Sequence, residues 1–154
     1  MRIELTLNGQ RVCADMPADA TLYELLRAQG MKSVKCGCET TNCGLCTVHL
    51  NGRPVLSCSQ LAARCAGAEV VTLEGLQDEA QLLAQCLADE GAEQCGFCSP
   101  GLVMNVLAMA RELRSPTPEQ VDRYLAGNLC RCTGYMSQRR AIAKYLKMRE
   151  EGAR

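Results

Sequence analysis

Eight of the twelve cysteines in this 154-residue chain stand in two groups of four, and each quartet must converge in whatever fold the chain adopts. In the first group Cys38, Cys43 and Cys46 follow C-x4-C-x2-C, and Cys58 comes after an intervening hairpin. The second pairs a C-x2-C, Cys95 and Cys98, with a distant C-x-C, Cys130 and Cys132. The chain opens MRIELTLNG, without the apolar core of an export signal, so the thiols are expected in a reducing cytoplasm. There, clustered cysteines hold metal more often than they form disulfides.

The C-x4-C-x2-C interval is the spacing of plant-type [2Fe-2S] ferredoxins. Such a site needs four thiolates around two irons and backbone amides turned inward to the sulfurs. Gly37 and Gly44 permit that close approach. A zinc site built from four cysteines is the rival for C-x2-C, but a C-x-C pair is less usual in zinc ribbons. Structural thiols are the third possibility. Of the remaining cysteines, Cys86 falls on an apolar helix face and Cys13 in a strand, so both read as small buried hydrophobes. Cys36 stands two residues before Cys38 and could exchange with it as a ligand; Cys38 is preferred because it alone gives the plant-type interval.

The first half of the chain reads as strands. Ile3, Leu5 and Leu7 alternate with polar residues, Asn8-Gly9 makes a hairpin turn, and RVCAD returns. Thr21 to Glu24 open a short helix with a capping box, which Gly30 closes. Residues 31–46 lack a hydrophobic period and form a loop. TVHL, Asn51-Gly52 and PVLSC give a second hairpin, residues 59–66 a short helix, and residues 70–73 a last strand. Beyond Gly75 the pattern turns helical. Leu82, Leu83, Cys86 and Leu87 form one apolar face, and Leu102, Val106, Met109 and Leu113 another. Thr117-Pro118-Glu119-Gln120 starts a third helix, and a fourth spans about residues 137–149. The expected class is α+β, with a β-rich domain at residues 1–75 and a four-helix unit at 76–154.

Composition narrows the function. Formal net charge is zero and there are only one Phe, four Tyr and no Trp, which gives nucleic acid neither a basic stripe nor stacking platforms. No apolar run approaches the ~20 residues that span a bilayer. The basic QRRAIAKYLKMREE reads as the solvated face of the last helix, opposite Ile142, Tyr145 and Leu146. The single histidine, His49, reads as a packed or solvated strand residue. Phosphate-binding, dinucleotide and nucleophile-elbow motifs are absent, so substrate chemistry is expected on another chain.

GCETTNCGLCTV (37–48), QCGFCSPG (94–101) and GNLCRCTGY (127–135) resemble the signature segments of the small iron-sulfur subunit of the molybdenum hydroxylases, the xanthine dehydrogenase and aldehyde oxidase family. The resemblance runs in order over nearly the whole chain. It implies a plant-type ferredoxin-like (β-grasp) domain whose cluster is held by Cys38, Cys43, Cys46 and Cys58. An all-α four-helix-bundle domain would follow, with a second [2Fe-2S] cluster on Cys95, Cys98, Cys130 and Cys132. It further implies a large partner subunit that binds molybdopterin, approached by Gln94 and Cys132, and an FAD or other acceptor near the first cluster, with the FAD on a separate subunit. In that family the partner's molybdenum centre puts a water-derived oxygen into a C–H bond and the small subunit drains the electrons. The first loop departs from the family pattern, which has glycines at the positions of Glu39 and Thr41 and alanine at that of Leu45.

The substrate expected from the resemblance is a purine, as in xanthine dehydrogenase. Aldehyde, nicotinate and carbon monoxide dehydrogenases have similar small subunits. A free-standing ferredoxin-like carrier and a zinc-stapled interaction module are the rivals outside the family. The second site reads as enclosed, which disfavours a free carrier. Arg131, between two ligands, is expected to raise the second cluster's potential.

Overall fold

The computed structural model describes residues 1–152. Hairpin β1 (Arg2–Leu7) and β2 (Gln10–Asp15) pairs Ile3 with Ala14 and Leu7 with Gln10. Its Asn8-Gly9 turn takes two positive φ angles, 50° and 79°, as a tight hairpin turn requires. Hairpin β3 (Thr47–Leu50) and β4 (Arg53–Leu56) turns at Asn51-Gly52 in the same way. Strand β5 (Glu69–Val71) lies between the hairpins, parallel to β1 and antiparallel to β3, giving the mixed order β2-β1-β5-β3-β4.

Helix α1 (Leu22–Ala28) covers this sheet. Its capping box is complete: the Glu24 amide donates to Thr21 Oγ1 at 3.2 Å and the Thr21 amide donates to Glu24 Oε2 at 2.7 Å. Alternating Ile3, Leu5 and Leu7 meet Leu22, Leu25, Leu26, Val48 and Val70 in one core. A second core belongs to helices α2 (Gln77–Asp89), α3 (Ser99–Glu112), α4 (Pro118–Tyr124) and α5 (Met136–Gly152). The molecule is therefore α+β, with a five-stranded mixed sheet and five α-helices among the described residues.

Helix α3 joins the two cores. Nine of its fourteen residues are buried, on every side, because it packs on α2 and also against β3 and β4. A helix apolar all round is one enclosed all round; the single stripe read from Leu102, Val106, Met109 and Leu113 understates this burial. Across the junction, His49 of β3 donates from Nε2 to the Met104 carbonyl at 2.8 Å, and its Nδ1 accepts from Arg111 Nη1 at 3.3 Å. Arg111 is in turn ion-paired with Glu79 of α2.

Several local expectations change. Cys58 is not in a strand: β4 stops at Leu56, and Ser57–Ser59 form a single 3-10 turn. Residues 59–66 hold no α-helix, only a second 3-10 turn at Ala62–Cys65. Cys13 is exposed rather than buried, because it lies on the sheet face turned away from the core, opposite the exposed Glu4 of β1, where Arg2 Nε donates to its sulfur at 2.9 Å. Cys86 is buried as expected. On α5, Ile142 and Tyr145 are buried, while Arg139, Arg140 and Lys144 pair with Asp122, Glu90 and Asp89. The basic face is thus a set of half-exposed clasps onto α4 and the end of α2.

Candidate metal centres

The first quartet is built on the loop between α1 and β3. Thr47 begins β3, so Cys43 and Cys46 enter the core at its edge and are buried, while Cys38 and Cys58 stay half-exposed. The 3-10 turn at Ser57–Ser59 brings Cys58 to Cys46, and the Ser57 hydroxyl donates to the Cys46 carbonyl at 2.8 Å. Thiol pairs with thiol: Cys38 with Cys43, and Cys46 with Cys58. The second quartet repeats this grouping. Cys95 and Cys132 sit 3.5 Å apart, sulfur to sulfur, and Cys98 neighbours Cys130.

This two-plus-two grouping bears on the choice of metal. One zinc needs four thiolates around one point; a two-iron cluster needs two thiolates on each iron. Four close pairs, two in each half of the molecule, fit the second requirement.

The thiols are also unequally primed, and ligation needs thiolates. Amides of Asn42 and Thr40 hold Cys38 down to about 6, while burial raises its partner Cys43. Burial pushes Cys58 up to about 12 and Cys98 up to about 11. At Cys130 burial acts upward too, but the Thr133 hydroxyl and the Thr133 and Cys132 amides outweigh it and bring the thiol to about 7. Three of the four pairs thus combine one lowered and one raised thiol, the third being Cys95, lowered chiefly by the Phe97 amide, beside the raised Cys132.

The whole second quartet and two thiols of the first, Cys38 and Cys43, open onto one cavity of ≈ 430 Å³, whose walls include Cys95, Cys98, Cys130 and Cys132. Its two sides interlock. The Leu129 amide donates to the Cys43 carbonyl at 2.9 Å, Lys35 Nζ lies 4.9 Å from the Phe97 ring centre, and Asn105 Nδ2 donates to Thr47 Oγ1 at 3.4 Å. Gly44, at φ +76°, has no room for a side chain: a Cβ there would overlap the Gly127 carbonyl and stand 2.7 Å from Asn128 Nδ2.

The second site is not enclosed as the sequence reading held. Cys95 and Cys132 are exposed, and Phe97, Leu129, Tyr135 and Met136 around them are exposed apolar side chains. Gln94 is exposed beside Cys95. Thr41, where a glycine was expected, carries the left-handed φ of +54° that a glycine would take freely, a strained conformation for a β-branched residue. Leu45 packs so that a Cβ on Gly37 would come within 2.7 Å of its Cδ2. Cys36 is exposed and donates to the Cys38 carbonyl at 3.0 Å. Sequence reading missed Thr133 and Gln138. Thr133 donates to Cys130 sulfur at 3.1 Å, and Gln138 signals itself only as an amide on the apolar face of α5.

Residues 5–70 match the family model of a 2Fe-2S iron-sulfur cluster binding domain, and residues 72–143 that of a [2Fe-2S] binding domain. The chain is 47% identical over 137 residues to the xanthine dehydrogenase iron-sulfur-binding subunit of Escherichia coli O157:H7, covering 86% of each. It is 40% identical over 143 residues to the nicotinate dehydrogenase small FeS subunit of Eubacterium barkeri, covering 91% of each. Its structure is similar to that of a chain of quinoline 2-oxidoreductase from Pseudomonas putida 86, with a TM-score of 0.90 at 33% identity over 99% of this chain and 97% of that one.

Proposed function

This chain belongs to the small iron-sulfur subunits of the molybdenum hydroxylases, and from that premise we propose that it relays electrons from a molybdopterin centre in a large partner subunit to FAD or another acceptor. One observation carries the reading: eight thiols stand as four close pairs, two pairs in each half. Cys38 and Cys43 would hold one iron of the first cluster and Cys46 and Cys58 the other. Cys95 with Cys132, and Cys98 with Cys130, would divide the second cluster in the same way. When bound, each [2Fe-2S] cluster takes one electron at a time, so two together match a two-electron oxidation.

The residues of the chain position, insulate and tune. Residues 1–75 are assigned to the ferredoxin-like, β-grasp domain and the described residues from 76 onward to the helical-bundle domain, with α3 fixing one against the other. The exposed Phe97, Leu129, Tyr135 and Met136 offer the second site an apolar rim, suited to a partner subunit that would desolvate it on docking. Gln94 and Cys132 lie on that rim and are the groups proposed to approach the pterin. The first site, half-exposed at Cys38 and Cys58, faces the acceptor, on an FAD-binding subunit. The Leu129 amide on the Cys43 carbonyl ties the two ligand loops at 2.9 Å. No helix among the described residues is long and apolar enough to cross a membrane; the complex is proposed to act in the cytoplasm.

The substrate is proposed to be a purine hydroxylated as in xanthine dehydrogenase, after the 47% identity to a subunit of that name. Hydroxylation of nicotinate is the second reading, favoured by the 91% mutual coverage with a nicotinate dehydrogenase subunit. Anaerobic co-purification with the partner subunits tests the whole. The expected result is red-brown protein with four irons per chain, two for each matched domain, and two distinct EPR signals on reduction. Colourless protein carrying zinc, or no metal, refutes it.

A further inference from the structure

The two thiol pairs of the second quartet meet different surroundings. Cys95 and Cys132 are exposed; Cys98 and Cys130 are half-buried, and two side-chain donors converge on them. Gln138 lies on the face of α5 that carries Ala141, Ile142 and Tyr145 and is 4% exposed. An amide buried on an apolar face needs a hydrogen-bond partner, and its Nε2 points to Cys98 sulfur at 3.8 Å. Thr133 Oγ1 lies 3.1 Å from Cys130 sulfur. That hydroxyl already accepts from the Tyr135 amide at 3.2 Å, which leaves its own proton directed at the sulfur. Tyr135 is held in turn by the Cys130 amide, which donates to its hydroxyl at 2.9 Å.

We propose that Gln138 and Thr133 set the potential of the second cluster, by donating hydrogen bonds to the Cys98 and Cys130 thiolates that stabilise its reduced form. The inference rests on the reading that this quartet binds a [2Fe-2S] cluster. Reduction adds one electron and so more negative charge on the ligating sulfurs. Burial disfavours that charge, and donors aimed at the sulfurs stabilise it more strongly in the reduced than in the oxidised state. Neither side chain ligates iron; both act through the thiolates, as outer-shell groups that orient and tune a site do. The exposed Cys95 and Cys132 have no such side-chain donor among the described residues beyond each other.

The test is an EPR-monitored redox titration of the assembled complex carrying Thr133→Val, Gln138→Leu, or both. At a fixed potential the oxidised-to-reduced ratio of the second cluster is expected to rise about tenfold in the double variant, which is a 59 mV lower midpoint for one electron. The first cluster, in the same sample, keeps its midpoint. Thr133→Ser, which restores the hydroxyl, returns the second midpoint to the wild-type value. Full iron loading with an unchanged second midpoint overturns the inference while leaving the cluster assignment intact; wild-type protein without iron overturns the assignment itself. Should Gln138→Leu fail to load iron, Thr133→Val against Thr133→Ser decides, and a common midpoint for these two overturns the inference.

Discussion

Gly101→Ala sets two physical effects against each other. Gly101 is the third residue of α3, and at a helical position alanine is favoured over glycine by about 1 kcal/mol. Helix propensity alone therefore predicts a more stable protein. The packing of the two halves predicts the reverse. A Cβ at 101 would overlap the Gly44 carbonyl oxygen and lie 2.9 Å from Leu45 Cα, where carbon atoms sit at about 3.5–4.0 Å. Both obstructions are backbone and cannot rotate away, so the loop carrying Cys43 and Cys46 must retreat from α3 by roughly 1 Å. Overpacking of this kind costs about 1–3 kcal/mol. The net expectation is a loss of up to about 2 kcal/mol after the propensity gain is subtracted. Denaturant unfolding of the loaded protein measures it, and EPR of the fully reduced protein reports whether magnetic coupling between the clusters weakens as the loops separate. Gly127→Ala is the control, since a Cβ there meets nothing within 4 Å. A Gly101→Ala protein as stable as the wild type, with unchanged coupling, would refute the backbone contact between the first ligand loop and α3.

Four further outcomes are expected. Cys38→Ser loses the first cluster and half of the iron, whereas Cys36→Ser retains both, as iron analysis will report. Thr41→Gly removes a left-handed φ of +54° from a β-branched residue and stabilises the loop by up to about 1 kcal/mol, read as an unchanged or higher melting midpoint. Arg131→Gln lowers the midpoint of the second cluster in a redox titration, because it removes a positive charge between two ligands. For His49, burial first and Arg111 next hold the ring below its ordinary value against the opposing Met104 carbonyl. The unfolded chain then binds a proton that the folded chain refuses, so stability falls as pH drops below about 6.5 and levels off only below the folded value. His49→Gln keeps a donor for Met104 and should flatten the change in denaturation midpoint between about pH 7.5 and 5.5.

What the sequence disclosed depended on range. The Asn-Gly turns, the two capping boxes and the alternation in β1 are local, and each stands within a residue or two of its expected place. The thiol quartets were legible because their intervals are themselves local signatures. Three things were not. The placing of Cys58 in the first quartet depends on a 3-10 turn at Ser57–Ser59 that a strand-like PVLSC conceals. The exposure of Cys13 depends on which face of the sheet the core covers, a matter of packing. The exposure of the second site depends on how the Cys95–Cys98 and Cys130–Cys132 loops meet the first ligand loop, across contacts far apart in the chain, such as Lys35 with Phe97 and Cys43 with Leu129. Burial of α3 on all sides follows from the same long-range packing, and no single-helix periodicity contains it.

That packing gives the two sites a shared fate. Neither ligand loop has a ladder of its own: residues 31–46 contain no strand or helix, and Cys130 and Cys132 lie between α4 and α5. One backbone hydrogen bond crosses the junction, Leu129 on Cys43, and Gly44 packs so closely against Gly127 and Gly101 that neither Gly44 nor Gly101 has room for a Cβ. A loop held in this way takes its geometry from the opposite half, so the sheet domain's ligands are placed partly by the helical domain and the reverse. The same contacts that fix the ligands fix the distance between the sites, because Cys43 and the residue before Cys130 are joined by one hydrogen bond. Stability of the junction and spacing of the two redox centres are therefore one structural property, and a substitution that loosens the first cannot leave the second unchanged.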